Sequence, residues 1–325
     1  SAPPDFSVSG RQRREPIMSR DSITTVLLIA AGALFPLSLA PLYWWPVGLA
    51  SLAVFALAIW QPASPLQAFK RSWAYAFGQF LAGVSWVYVS MHDYGGTSAP
   101  LAIVMVMLFA AGLALVPALV FSLYSRFRDS HGQQVVPWLL IPVFWFVSEW
   151  TRSWLLTGFP WLFVGDGHLF SWLSGWAPVI GSYGLSFIIL LTITCLIQAA
   201  RRLQPVWLSV LLLWPVGLWL QQHDWTQPGD VITVAAVQGN IDQNQKWQAH
   251  MVAPTIELYT RETRKLWQSD LVLWPETAVT LVYDRFCRIS TISIVKPAST
   301  RPPSSPVLPI VIHRTARRRA SITTV

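Results

Sequence analysis

The sequence predicts a polytopic α-helical membrane bundle of six to seven helices, followed by the start of an α/β domain. Three observations predict it. Of 325 residues, 53% are hydrophobic and 12% charged, with a mean hydropathy of +0.45, which is too apolar for an ordinary soluble domain. Apolar runs of near-spanning length recur between residues 23 and 220. Past Asp230 the pattern changes to short apolar strands around one amphipathic helix.

The apolar runs are 23–40, 42–60, 73–90, 101–124, 135–148, 179–200 and 206–220. A helix needs ~20 apolar residues to cross the hydrocarbon layer. The fifth and seventh runs are short, and only Pro41 separates the first two, so seven helices are expected and six are the alternative. Together they make a transmembrane domain over residues 18–222. The chain opens on Ser1, and Met18 precedes the first apolar run, so residues 1–17 are read as a disordered or non-native arm.

Basic residues cluster on one side of these runs. Arg20, with Arg11, Arg13 and Arg14, precedes the first; Lys70 and Arg71 precede the third; Arg126 and Arg128 follow the fourth; Arg201 and Arg202 follow the sixth. Loops 91–100 and 149–178 carry far less basic charge. If all seven helices cross, this is the positive-inside pattern, with a cytoplasmic amino terminus. Everything after the seventh helix is then outside, which in a bacterial inner membrane is the periplasm.

The net charge of +8 has a local origin. Eight of the 23 basic residues and none of the 15 acidic ones lie from Arg285 onward, so the body is neutral and no nucleic-acid partner is expected. The runs contain almost no ionisable residues, which counts against a proton-coupled transporter. Most of the nineteen tryptophans fit interfacial belts or packing. Cys195 and Cys287 cannot form a disulfide framework, and Cys195 reads as lipid-facing or packing sulfur.

The segment Glu149 to Trp161 is aromatic and apolar with Gly158 and Pro160 breaks, like an interfacial or re-entrant stretch. Glu149 and Arg152 share a helix face, where they can pair. The alternative is a helix end anchored by aromatics and one surface ion pair.

The second domain is expected over residues 230–283. Residues 231–238 are apolar on both faces, as in a buried parallel strand, and Gly239-Asn240 ends it. Residues 254–267 read as an amphipathic helix with Ile256, Tyr259 and Leu266 near one face and Glu257 paired to Arg261. A buried strand follows in Leu271-Val272-Leu273-Trp274, and Pro275 stops it. Strand, helix and strand make a βαβ unit. Glu276 then falls at the carboxyl end of a parallel strand, where open α/β sheets place their chemistry. By itself it is a catalytic carboxylate or a solvated one.

The order of apolar strand, Gln238-Gly239-Asn240, helix and Leu273-Trp274-Pro275-Glu276 resembles the opening of the nitrilase (carbon–nitrogen hydrolase) superfamily. That resemblance implies an αββα sandwich with a Glu–Lys–Cys triad. The membrane half narrows it. Ser85-Trp86-Val87-Tyr88-Val89-Ser90, Leu156-Thr157-Gly158-Phe159-Pro160-Trp161, Val237-Gln238-Gly239-Asn240-Ile241, Lys246-Trp247 and Trp274-Pro275-Glu276-Thr277-Ala278 look like the apolipoprotein N-acyltransferases. The likeness runs from about residue 18 to 279.

The resemblance implies the last acylation of bacterial lipoprotein maturation, in the inner membrane with the catalytic domain in the periplasm. A phospholipid is the acyl donor, and the diacylglyceryl-cysteine of an apolipoprotein is the acceptor. No cofactor or metal is implied. Glu276 matches the general base that deprotonates the thiol. Trp247 matches a tryptophan lining the acyl-chain entrance, with a packed aromatic as the alternative, and Phe159 and Trp161 are candidate substrate contacts.

The family pattern stops after Val279. Cys287 precedes Lys296 and both lie close to Glu276, so neither is a triad member. The basic, proline-rich stretch 284–325 is expected to be disordered or frameshifted, leaving the sandwich incomplete and this chain inactive. A membrane-tethered amidase of the same superfamily and a non-catalytic membrane scaffold are the alternatives.

Overall fold

A computed structural model describes residues 20–130, 137–278 and 280. The expectations placed on residues 1–17, Cys287, Lys296 and the tail 284–325 lie outside the described residues. The chain divides into two compact units between Trp225 and Thr226.

In the first unit every apolar run carries helix. In chain order these are α1 (Arg20–Leu34), α2 (Trp45–Ile59), α3 (Pro65–Gly83), the short α4 (Trp86–Val89), α5 (Ala99–Ser130), α6 (Pro137–Trp154), α7 (Ala177–Arg202) and α8 (Leu213–Leu220). Among the described residues three spans are long and apolar enough to cross a membrane: Asp21–Ser38, Ala99–Arg128 and Trp172–Arg202. Trp45–Ile59 and Pro205–Leu220 are apolar but shorter. The third helix begins at Pro65 rather than at 73, because Ser64 caps it by accepting from Gln67 N at 3.1 Å and proline suits a first helical position. That start brings Lys70 and Arg71 into the helix, just as α6 contains Glu149 and Arg152.

Lipid tails are as apolar as leucine, so close backbone approach and interhelical hydrogen bonds must hold such helices together. A Cβ on Gly32 would lie 2.0 Å from Tyr75 O, and one on Gly78 would lie 2.0 Å from Ile29 O, so α1 and α3 touch backbone to backbone. Ser51 Oγ donates to Ala31 O at 2.6 Å and lies 2.8 Å from Tyr75 Oη, tying α2 to both. Phe55 fills the centre, edge-on to Phe121 at 5.0 Å and to Trp145 at 5.2 Å. Cys195 is buried, so it packs rather than facing lipid.

The basic helix ends meet. Arg71 Nη1 donates to Ala58 O at 2.6 Å, Tyr124 Oη donates to Trp60 O at 3.1 Å, and the Arg201 guanidinium lies 5.6 Å from the Trp60 ring. The start of α3 and the finishes of α2, α5 and α7 therefore share one end of the bundle.

In the second unit β1 (Val234–Ala236) and β2 (Leu271–Leu273) pair in parallel, with Val234 opposite Leu271. Between them run α9 (Gln243–Lys246) and α10 (Val252–Lys265). Both strands are shorter than their sequence suggests, since among the described residues each has only the other to pair with, and Val231 is left 98% exposed. β2 is half-buried rather than fully buried. The buried face of α10 is Thr255, Tyr259 and Thr263. Of the expected apolar residues Tyr259 is in this core and Leu266 packs against it, whereas Ile256 does not. Tyr259 lies 5.2 Å from the Trp274 ring, and Trp274 Nε1 donates to Thr263 Oγ1 at 2.8 Å. Glu257 does not take Arg261; Glu262 binds both Arg261 (3.1 Å) and Lys265 (2.7 Å).

Candidate functional site

The chain leaves α6 at Trp154 and turns back through residues 155–163. Near the end of α6, Glu149 is 2% exposed and Arg152 4%. They form no surface ion pair. Each holds the loop instead. Glu149 Oε1 accepts from Trp145 Nε1 and from Val164 N, both at 2.9 Å. Arg152 Nη1 donates to Phe159 O at 2.9 Å and also to Trp161 O. The guanidinium lies 5.1 Å from the Phe80 ring and 4.8 Å from the Phe163 ring. Buried charge is costly unless it is hydrogen-bonded; the loop backbone partners Arg152 and Glu149 Oε1, while Glu149 Oε2 makes no hydrogen bond among the described residues.

The loop bends tightly to reach them. Leu156, Thr157, Gly158 and Leu162 all have positive φ. Gly158 sits at φ 84°, ψ 151°, and a Cβ there would lie 2.0 Å from Ser153 O. The result is an aromatic pair, with the Phe159 and Trp161 rings stacked at 5.2 Å and 24°. Phe109 meets Phe159 edge-on at 5.3 Å. Phe109 lies ten residues into α5, about 15 Å along it, so the loop packs beside the helices rather than beyond their ends. Phe159 is half-buried and Trp161 is 50% exposed, leaving an apolar ring at the surface of the loop.

Behind the loop, Ser182 Oγ donates to Asp166 Oδ1 at 2.6 Å, and Gly165 N donates to Ser186 Oγ at 2.9 Å. Sequence reasoning passed over Asp166, Ser182 and Ser186. The signal available was the polar run Gly165-Asp166-Gly167-His168 between two apolar stretches.

In the second unit Glu276 is exposed on the turn after β2, one residue past Pro275. Ala278 N donates to Pro275 O at 3.1 Å to close that turn, and Thr277 adopts φ 55°. Asp242 caps α9 by accepting from Asn244 N at 2.8 Å, which sets Lys246 and Trp247 at the helix end. Lys246 Nζ then donates to the Glu276 carbonyl at 3.3 Å, so the Lys246-Trp247 segment and the turn of Glu276 meet across thirty residues of chain. Trp247 is 60% exposed, unlike a packed aromatic. Burial raises the Tyr259 phenol above its ordinary pKa, opposed by the Gly239 backbone. Hydrogen bonds from Lys265 and then Arg261 hold Glu262 below the usual carboxylate value. Phe159 and Trp161 belong to the first unit, Trp247 and Glu276 to the second.

A family model described as the apolipoprotein N-acyltransferase N-terminal domain matches residues 31–195, from the last turn of α1 into α7. The chain is 39% identical over 266 residues to the apolipoprotein N-acyltransferase of Coxiella burnetii, covering 79% of this chain and 54% of that protein. It is 42% identical over 261 residues to that of Pseudomonas syringae pv. tomato, covering 78% and 51%. Against that of Azotobacter vinelandii it is 40% identical over 265 residues, covering 79% and 51%. The chain spans about half the length of the curated relatives it matches. With the N-terminal domain of these enzymes matching half of its residues, the aromatic loop among them, the chain belongs to the apolipoprotein N-acyltransferase family.

Proposed function

We propose that these residues form the membrane domain and the opening of the catalytic domain of an enzyme that moves an acyl chain from a phospholipid to a lipoprotein. In the first half-reaction a carboxylate takes the proton of a cysteine thiol, and the thiolate attacks the phospholipid ester. Lysophospholipid leaves with a proton, and the acyl chain remains as a thioester. In the second, the α-amino group of a diacylglyceryl-cysteine attacks the thioester, an amide forms and the thiol is regained. Glu276 is the general base of both steps, and the resemblance puts the lysine and the nucleophilic cysteine after it in a full-length member.

The observation that carries this reading is the place of Glu276, exposed one residue beyond the proline that ends β2 of a parallel pair. On this reading β1, α10 and β2 open a nitrilase-like αββα sandwich. Trp247 lines the acyl entrance, which its exposure favours, and Phe159 and Trp161 are candidate substrate contacts within the membrane domain. The convergence of Arg71, Arg201 and the finish of α5 at one bundle end supports a cytoplasmic face there, with the second unit in the periplasm of an inner-membrane protein.

The test is a chimera in which residues 18–278 of this chain continue into the remainder of the Pseudomonas syringae relative. Glu276→Gln in that chimera should lower thioester formation by roughly 10²–10⁴ with the protein still folded. Near-normal thioester formation would reject Glu276 as the base.

A further inference from the structure

At the basic end of the first unit an open groove of about 510 Å³ lies between the start of α1 and the start of α3. We propose that it binds the phosphodiester headgroup of an anionic phospholipid, separately from the reaction proposed above. Lys70 and Arg71 line it. Lys70 is exposed and makes no hydrogen bond or ion pair among the described residues. Arg71 spends one nitrogen on Ala58 O at 2.6 Å, which fixes the guanidinium and leaves further N–H donors. Hydroxyls of Ser22, Thr25 and Ser64 complete the polar wall. Ser64 Oγ accepts from Gln67 N, so its own proton remains to donate.

Charge and surroundings select the ligand. Asp21 also lines the groove, so one acid stands against two cations and leaves a single positive charge, matching the single negative charge of a phosphodiester. Val26 and Leu66 line it too, at 55% and 60% exposed, on the flank where the apolar span Asp21–Ser38 begins. A free phosphate has no use for that apolar flank, whereas a lipid continues along it. The groove sits at the start of α3. The aromatic loop meets the finish of the same helix, where Gln79 Nε2 donates to Leu162 O at 3.4 Å.

The test uses the full chain in detergent and needs no activity. Native mass spectrometry would follow titration with phosphatidylglycerol and, separately, phosphatidylcholine. Phosphatidylglycerol should bind more tightly. Lys70→Gln should weaken it about fivefold, corresponding to the roughly 1 kcal/mol that one basic residue contributes at an anionic surface. Gln67→Glu, which keeps an oxygen for the Ala63 N–H (2.6 Å), should weaken it comparably by placing a negative charge in the groove. Arg126→Gln, an exposed basic residue near the finish of α5, should change nothing. Equal binding of the two lipids, or unchanged binding in both groove variants, would overturn the site. An equal loss in Arg126→Gln would reduce it to general surface charge. Displacement of the lipid by excess inorganic phosphate would assign the groove to the free ion and overturn the lipid.

Discussion

Arg152 Nη1 lies 2.9 Å from the carbonyl oxygen of Phe159, seven residues further on, and donates to the Trp161 carbonyl through the same nitrogen. A single buried guanidinium thus grips both residues of the aromatic pair by their backbone and leaves their rings unencumbered. Glu149, one helical turn earlier, anchors the far end of the loop through Val164 N. The two charges stay in place because the loop hydrogen-bonds them, and the loop keeps its shape because they hold it.

Arg152→Met should therefore cost about 2–5 kcal/mol, since it strands two carbonyls and removes the neighbouring charge from buried Glu149. Arg152→Lys keeps the charge but loses the planar group set against Phe80 and Phe163, and should fall between. Thermal unfolding in detergent measures the order. Limited proteolysis should locate the loosening at residues 155–161.

Gly158→Ala tests the bend itself. Its φ and ψ fall in a region essentially reserved for glycine, and the added methyl would meet Ser153 O at 2.0 Å. A loss of about 1–3 kcal/mol from backbone strain is expected, with proteolysis again at the loop. A variant as stable and as resistant as the parent would show that the loop has another shape.

How much of this was legible in the sequence depends on where each partner comes from. The helices were readable because lipid offers no hydrogen bonds and forces apolar runs into helix. Trp274-Pro275 marked the end of β2 because proline has no N–H to continue a ladder. The face of α10 was legible at Tyr259 and Leu266 but not at Thr255 and Thr263, which carry hydroxyls, and nothing local says that the Trp274 indole needs Thr263 as its acceptor. Glu149 and Arg152 have the same spacing in a surface pair and in a buried clamp. What decides between the two is Phe80 of α3 and Val164 beyond the loop, both distant in sequence. The groove likewise exists only because α1 lies against α3.

Gly78→Leu should separate α1 from α3, because any Cβ there meets Ile29 O at 2.0 Å. Overpacking of this kind costs about 1–3 kcal/mol, and backbone that cannot yield pushes it toward the upper end. Gly112→Leu is the control, since nothing lies within 4 Å of a Cβ on that exposed glycine of α5. Unfolding temperatures should drop for the first variant and stay near the parent for the second.

A reporter active only in the periplasm checks the orientation. Fused after Ala278 it should be active, and fused after Arg202, beside the basic bundle end, it should be silent. The opposite pattern would invert the topology.

Whether the aromatic pair meets substrate as well as packing the loop can be tested by truncating each ring. Phe159 is half-buried between Phe109 and Trp161, so Phe159→Ala opens a gap and should lower both stability and acyl transfer in the chimera. Trp161 is half exposed, and Arg152 holds it by its carbonyl, so truncating its ring leaves the clamp intact. Trp161→Ala should therefore change stability by less than about 1 kcal/mol while still reducing acyl transfer. The reduction should appear as a higher KM for phospholipid, because the ring would contribute to binding the chain and not to moving a proton. Unchanged transfer in Trp161→Ala would mean that the pair anchors the loop at the membrane interface and meets no substrate. A fall in kcat alone would place Trp161 nearer the reacting carbonyl than the acyl chain.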